Sequence, residues 1–284
     1  MFIYVGKLSF LVYTNIMLKE LLLRIFKGLL NKIKKDLPKP GYTIGRRETF
    51  HVQMSDGVRL TTHVFFPEEE GIFPVIFIRS PYIHDMDVHM CIFEEFIPFG
   101  FIVCYQEVRG RGTSEGTFEP FIHERSDALD TMKWMKEQDW YSGQVGLIGM
   151  SYLSYNSLCW ADKWGGDVKT AFVTVFGNNI YDAFYMNGIL KEEFTAVWCL
   201  QNNNHRKFLN EAAFKRFRRA KHIRPKKNVL RKLTGHDFDF YNKVISSPGK
   251  DDALWSDIRL PDLGKIRVPL CMVTGYYDFS VNGM

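Results

Sequence analysis

Five short runs of apolar side chains set the frame for this chain: Val75-Ile76-Phe77-Ile78, Phe101 to Tyr105, Val145 to Ile148, Ala171 to Phe176 and Val268 to Thr274. None alternates apolar with polar residues, as a strand wetted on one face would, and each is short for a helix. They read as strands buried on both faces. Helical patterns separate several of them. Glu124 to Gln138 carries Ala128, Leu129, Met132, Trp134 and Met135 on one side, and a second helix is expected from about Tyr152 to Trp160. Strands alternating with helices in this way imply an α/β fold with a mostly parallel sheet and helices on both faces. Ahead of them, Phe50 to Met54, the turn Asp56-Gly57 and Val58 to Phe65 read as a β-hairpin. Residues 179–260 show helical segments and no strand signal, an insertion placed to cap the C-terminal edge of the sheet.

The sequence therefore divides into a leader (1–41), a first part of the core (42–178), the helical cap (179–260) and a second part of the core (261–284). Pro38, Pro40 and Gly41 end the leader. Its start, Phe2 to Met17, is interrupted by Lys7, lacks a basic beginning and a small-residue cleavage site, and is short for a membrane span. Residues 18–35 read as a basic amphipathic helix with Leu21, Leu22, Ile25, Leu29 and Ile33 on one side. Such a helix lies on a membrane surface or packs on the domain, unless the start is over-extended and the chain begins at Met17; the last two readings are favoured over the membrane surface. With no convincing signal peptide, the expected location is cytoplasmic.

Charge is concentrated. The chain carries +5 overall, yet residues 206–232 hold twelve Lys or Arg against the single acid Glu211, a local +11. No recognised nucleic-acid motif accompanies this segment, so it reads as a solvated face and not as a nucleic-acid site. The five cysteines (Cys91, Cys104, Cys159, Cys199, Cys271) stand singly, with no paired Cys or His spacing. Neither a metal nor another cofactor is expected, and the thiols read as reduced.

The chemistry centres on Val145-Gly146-Leu147-Ile148-Gly149-Met150-Ser151-Tyr152-Leu153-Ser154. A strand enters a helix through a turn with glycine two positions before a serine. This sharp elbow puts the Ser151 hydroxyl at its tip, where substrate and base can reach it. The Tyr152 backbone N–H would then face a developing oxyanion. The position three after the serine is usually glycine and is Ser154 here, small enough for the same packing.

Further stretches in the same order resemble the X-Pro dipeptidyl-peptidase-like, cocaine-esterase-like serine hydrolases, which include the α-amino-acid ester hydrolases. They are Ser55 to Leu60, Ile78-Arg79-Ser80-Pro81-Tyr82, Tyr105 to Gly116, Trp134 through Trp140-Tyr141-Ser142-Gly143, the elbow itself, and Val273-Thr274-Gly275-Tyr276-Tyr277-Asp278. The resemblance implies an α/β-hydrolase fold and acyl transfer from a small ester or short peptide. It assigns Ser151 as nucleophile, Asp278 as the triad acid, and the Tyr82 hydroxyl with the Tyr152 amide as oxyanion hole. Where the family usually carries Asp, this chain has Glu107. Arg109 and Arg111 read as braces of the loop after the second apolar run. Trp198 and Phe194 fit an acyl pocket or core packing equally well.

The family orders its triad Ser, Asp, His. All eight histidines here (His51, His63, His84, His89, His123, His205, His222, His236) precede Asp278, and six residues follow that aspartate. The expectation is a hydrolase truncated before its catalytic His and C-terminal β-rich domain, nearly inactive alone. The alternatives are a base drawn from His205 or His236, a non-catalytic descendant and a basic surface-binding protein. Ending after a central strand should also leave sheet edge and core face uncovered.

Overall fold

A computed structural model describes residues 39–82, 93–202, 215, 217–219, 222–224, 226–275 and 278. The leader helix, His84, His89, Cys91, His205, Tyr276, Tyr277 and much of the basic segment lie outside them. Among the described residues a seven-stranded sheet runs in the order β1-β2-β4-β3-β5-β6-β9. β1 (Ile44–Gln53) and β2 (Arg59–Pro67) form the expected hairpin, with Val52 opposite Leu60 and Gly57 in the left-handed region at φ 88°. β2 pairs antiparallel with β4 (Ile102–Glu107). From β4 onward every pair is parallel: β3 (Val75–Ser80), β5 (Val145–Met150), β6 (Val168–Thr174) and β9 (Leu270–Val273).

The apolar runs became strands because both faces of their central members are dry. Every residue of β3 and β4 is buried. One face packs against α1 (Glu124–Lys136) and α2 (Tyr152–Leu158), with Phe77, Cys104, Leu147, Ala128, Met132, Met135 and Leu158 in one cluster. The other face gathers Ile76, Ile78, Val103 and Tyr105 under Phe93 and Ile97, which belong to a segment containing the 3-10 helix Glu94–Phe99.

Residues 179–260 contain α3 (Tyr181–Phe184), α4 (Glu192–Gln201), α5 (Val229–Thr234), α6 (Asp239–Ile245) and α7 (Ala253–Asp257). They also hold a two-stranded ribbon, β7 (Tyr185–Met186) and β8 (Ile189–Leu190), against the strand-free expectation. The ribbon turns on Asn187-Gly188, both at positive φ (51° and 79°), which is the geometry an Asn-Gly pair favours. The last strand also differs from expectation: β9 is outermost among the described strands, not central.

Candidate active site

Parallel pairing brings the ends of β3, β4, β5, β6 and β9 to one edge. Ser80 lies opposite Glu107, Met150 opposite Thr174, and Thr174 opposite Val273. Tyr82, Ser151 and Asp278 each follow one of these ends, where open α/β sheets place their sites. β5 and β9 are separated by β6 alone, so Ser151 and Asp278 leave strands about 10 Å apart.

Ser151 sits between β5 and α2 with φ 57° and ψ −118°, a conformation disfavoured for a residue with a side chain. Its N–H donates to Thr174 O at 2.9 Å, while its own carbonyl accepts from the N–H groups of Ser154 and Tyr155. The turn is therefore held from both sides. Gly149 is required for it: a Cβ there would come within 2.3 Å of the Leu153 carbonyl carbon and oxygen. Ser154 does more than fit. Its hydroxyl lies 2.9 Å from Gly149 O and 2.8 Å from Thr174 O, and it accepts from Thr174 N–H at 3.2 Å.

Tyr152 occupies the first position of α2, where helix amides lack an intrahelical acceptor. Its side chain is locked below the site. The phenol accepts from Phe121 N–H and donates to Glu124 Oε1, each at 2.8 Å. Phe121 stacks on the ring at 4.5 Å and Trp198 at 6.2 Å, and the Tyr82 ring meets it edge-on at 6.3 Å. Burial raises the Tyr152 phenol well above its ordinary value, so it stays protonated. The Tyr82 amide is anchored to Ser80 Oγ at 3.1 Å. Asp278 is half-buried, its N–H bonded to Gly275 O at 2.9 Å, and its charge is felt at Lys191.

A polar network beneath the site escaped the sequence reading. Burial raises the Glu124 carboxyl, partly offset by Arg79, whose Nη1 lies 3.0 Å from Glu124 Oε2, and by the Tyr152 hydrogen bond. Arg79 also donates to Gln106 Oε1, and Gln106 reaches Thr131 at 2.8 Å. Arg109 grips Asp127 through Nε and Nη2 and Asp56 through Nη1, bracing the loop as expected. Arg111 reaches farther than expected. It donates to Asn202 O beyond α4, lies 3.9 Å from the centroid of the Phe118 ring, and is pushed down to about 10 by burial. The one signal for this network in the sequence was Arg79, a charge inside an apolar strand.

Glu107 has a definite place. Burial opposes its ionisation, but the adjacent His63 ring and the hydrogen bonds from Thr113 outweigh it and hold the carboxyl below the usual range. Thr113 N–H donates to it at 2.7 Å. Gly112, at φ 58°, leaves the room: a Cβ there would sit 2.1 Å from Glu107 Oε2. His63 is engaged here too, 3.6 Å from Glu107 and bonded to Arg47 and Thr49, while His51 meets Thr61 and His123 pairs with Glu119. His236 lines a cleft of about 640 Å³ with Phe118, Trp198, Phe240 and Lys243. Trp198 thus both packs and lines a cavity, whereas Phe194 packs against Phe184 at 6.0 Å.

Residues 56–284 match the model of the X-Pro dipeptidyl-peptidase (S15) family. The chain belongs to that family. It is 28% identical over 250 residues to cocaine esterase of Rhodococcus sp. (strain MB1 Bresler), covering 80% of this chain and 43% of that protein. An aminopeptidase from a marine sediment archaeon of the Thaumarchaeota superposes with TM-score 0.65 at 19% identity, over 87% of this chain and 47% of the other. An α-amino acid ester hydrolase gives 0.53 at 18%, over 84% and 45%. The fold is that of these α/β-hydrolase-like relatives. This S15 chain spans less than half the length of each of the three. Among its described residues no helix is long and apolar enough to cross a membrane.

Proposed function

We propose that this S15 family member is a serine hydrolase of small esters or short peptides, acting through an acyl-enzyme on Ser151. The observation that carries the reading is the backbone of Ser151, held at positive φ between a parallel strand and a helix N-terminus. Strain at that point is maintained by Gly149, Ser154 and Thr174, and it serves to present a hydroxyl.

In the proposed reaction Ser151 Oγ attacks the carbonyl carbon and its proton passes to an imidazole base oriented by Asp278. The tetrahedral oxyanion receives hydrogen bonds from the Tyr152 N–H and the Tyr82 hydroxyl. The leaving alcohol or amine takes the proton, and water, activated by the same base, releases the acid. The segment 179–260 acts as a cap, and its Trp198 borders the space for the substrate. In the order Ser, Asp, His the base is a histidine that follows Asp278, and a polypeptide of residues 1–284 assayed without it is expected to turn over slowly, since losing a triad member costs several orders of magnitude in kcat.

The test is hydrolysis of p-nitrophenyl acetate by the purified chain and by Ser151→Ala, with and without added imidazole. A slow rate that imidazole raises only when Ser151 is present supports the proposal. Identical rates in both proteins under both conditions remove Ser151 as nucleophile. An ordinary enzymatic rate without imidazole overturns the assignment of the base.

A further inference from the structure

Phe121 is held in a conformation that an aromatic residue seldom adopts. It is buried, and its φ of 71° lies in the left-handed region. Such strain persists only where the surroundings impose it. Two phenols of α2 do so. The Phe121 N–H donates to the Tyr152 phenol oxygen at 2.8 Å, and the Phe121 carbonyl accepts from the Tyr155 hydroxyl at 3.1 Å. Three residues apart, Tyr152 and Tyr155 share one side of the helix. Between them and α4 the Phe121 ring stacks on Tyr152 at 4.5 Å and on Trp198 at 5.7 Å.

The Tyr152 phenol is used twice. While it accepts from Phe121, it donates to Glu124 Oε1 at 2.8 Å, in the first turn of α1. Glu124 is fixed in turn by Arg79, whose Nη1 lies 3.0 Å from Glu124 Oε2 and donates to the Glu124 carbonyl at 2.6 Å. The Arg79 carbonyl accepts from Asn156 Nδ2 at 2.9 Å, which brings the circuit back to α2. Arg79, Glu124, Tyr152 and Asn156 are all buried, where such bonds are strong and costly to break. One partner would satisfy a buried hydroxyl. Two partners of opposite polarity, from different segments, fix the ring in direction as well as depth.

The circuit closes on the residue next to the nucleophile. We propose that Glu124 is a positioning residue of the oxyanion hole: by fixing the far end of the Tyr152 side chain, it holds the Tyr152 amide in line with the oxyanion formed at Ser151. This role rests on Ser151 acting as the nucleophile of acyl transfer. Tyrosine suits the task, since its ring is a rigid lever with only two side-chain torsions. An oxyanion donor lowers the barrier when it is in place before the charge develops. Ser154 clasps the elbow through backbone carbonyls, and Glu124 steadies it through a side chain. Arg79 bears on the second donor as well: it stands three residues before Tyr82, and Ser80 between them anchors the Tyr82 amide. Losing an oxyanion donor outright costs about 10²–10³ in kcat, and one that is kept but loosened is expected to cost about tenfold.

The test is hydrolysis of p-nitrophenyl acetate at a fixed imidazole concentration, with kcat and KM measured for the unaltered chain, Ser151→Ala, Tyr152→Phe, Glu124→Gln and Glu124→Leu. Tyr152→Phe removes the hydroxyl and keeps the ring and the amide. Glutamine keeps an acceptor for that hydroxyl, and leucine does not. Each variant is assayed below its own thermal transition, read by circular dichroism, so that only folded protein is compared. The expected result is a kcat about tenfold lower in Tyr152→Phe and Glu124→Leu, with KM within about twofold of the unaltered chain and most of the activity retained in Glu124→Gln. A role in folding alone would leave kcat of the folded protein unmoved. Should Glu124→Leu fail to fold, Glu124→Gln is compared with Tyr152→Phe instead. An unchanged kcat in Tyr152→Phe overturns the proposal, as does a loss in Glu124→Gln as large as in the variant it is compared with. A Ser151→Ala chain as active as the unaltered one removes the nucleophile assignment, and the positioning role with it.

Discussion

The hydroxyl of Ser154 lies 2.8 Å from the carbonyl oxygen of Thr174, tying the first turn of α2 to the end of β6. The same hydroxyl stands 2.9 Å from Gly149 O, so it bridges the two arms of the elbow that carries Ser151. A glycine at this position would permit the turn but not clasp it. Ser154→Ala is therefore expected to cost about 1–2 kcal/mol, the usual loss for a buried hydrogen bond whose partners remain. Ser154→Gly should cost roughly 0.5–1 kcal/mol more, because glycine weakens the helix interior. Urea unfolding of the three proteins measures both differences, and equal midpoints would show that the hydroxyl contributes nothing.

Ser151 is strained for a reason unconnected with its oxygen. At φ 57° and ψ −118° its Cβ crowds the backbone, whereas glycine is at ease with positive φ. Ser151→Gly should stabilise the fold by about 1–2 kcal/mol, while Ser151→Ala, which keeps the Cβ, should leave it nearly unchanged. Both remove the proposed nucleophile. A rise in Tm for the glycine variant alone is the expected signature of strain held at this turn, and a fall in both would mean that the hydroxyl itself supports the elbow.

Arg109 links three parts of the chain that are far apart in sequence. Its guanidinium meets Asp127 in α1 at 2.7 Å and Asp56 in the hairpin turn at 2.6 Å. Removing Arg109 leaves the buried Asp127 carboxylate, among the described residues, with Arg79 alone, 3.7 Å away, while Asp56 is half exposed, so Arg109→Met should destabilise by about 3 kcal/mol, the lower end of the range for a broken buried pair. Lysine keeps the charge but cannot make the two-pronged contact, and Arg109→Lys should recover only part of the loss. Denaturant unfolding tests this, with a loss below 1 kcal/mol in Arg109→Met as the contrary result.

How far these features could be read from the sequence depended on their range. β3 and β4 were legible because burial on both faces writes itself as an unbroken apolar run, and β5, dry on one face and part-buried on the other, carries a run of the same kind. The elbow was legible because Gly149, Ser151 and Ser154 act within six residues of each other. The β7–β8 ribbon was missed although Asn187-Gly188 is a strong turn signal, because its strands are two residues long and carry no periodicity. The network of Arg79, Gln106, Glu124 and Asp127 was hidden for a different reason. Its partners lie tens of residues apart, and only the stacking of α1 on the sheet brings them together. Glu107 shows both effects: its presence was visible, but its use depended on Thr113 and on the space that Gly112 leaves.

Glu124 gives this network a pH dependence with a definite sign. Burial raises its carboxyl above the ordinary value, so the folded protein holds a proton that the unfolded chain has released. Below the ordinary carboxylate range both states are protonated, and the fold keeps the full benefit of the neutral group. As pH rises from there to the raised value, the unfolded state ionises first and stability falls. Above the raised value both states are ionised and the benefit is gone. Glutamine imitates the neutral form at every pH. The stability of the unaltered protein relative to Glu124→Gln should thus decline as pH increases through that window and be flat on either side. Glu107, held low by His63 and Thr113, works in the opposite direction, and taking the difference between the two proteins cancels it. Urea unfolding of both proteins across the acid range decides the matter. A difference that stays constant, or that grows in favour of the unaltered protein as pH rises, would mean that Glu124 is ionised in the fold and that Arg79 outweighs its burial.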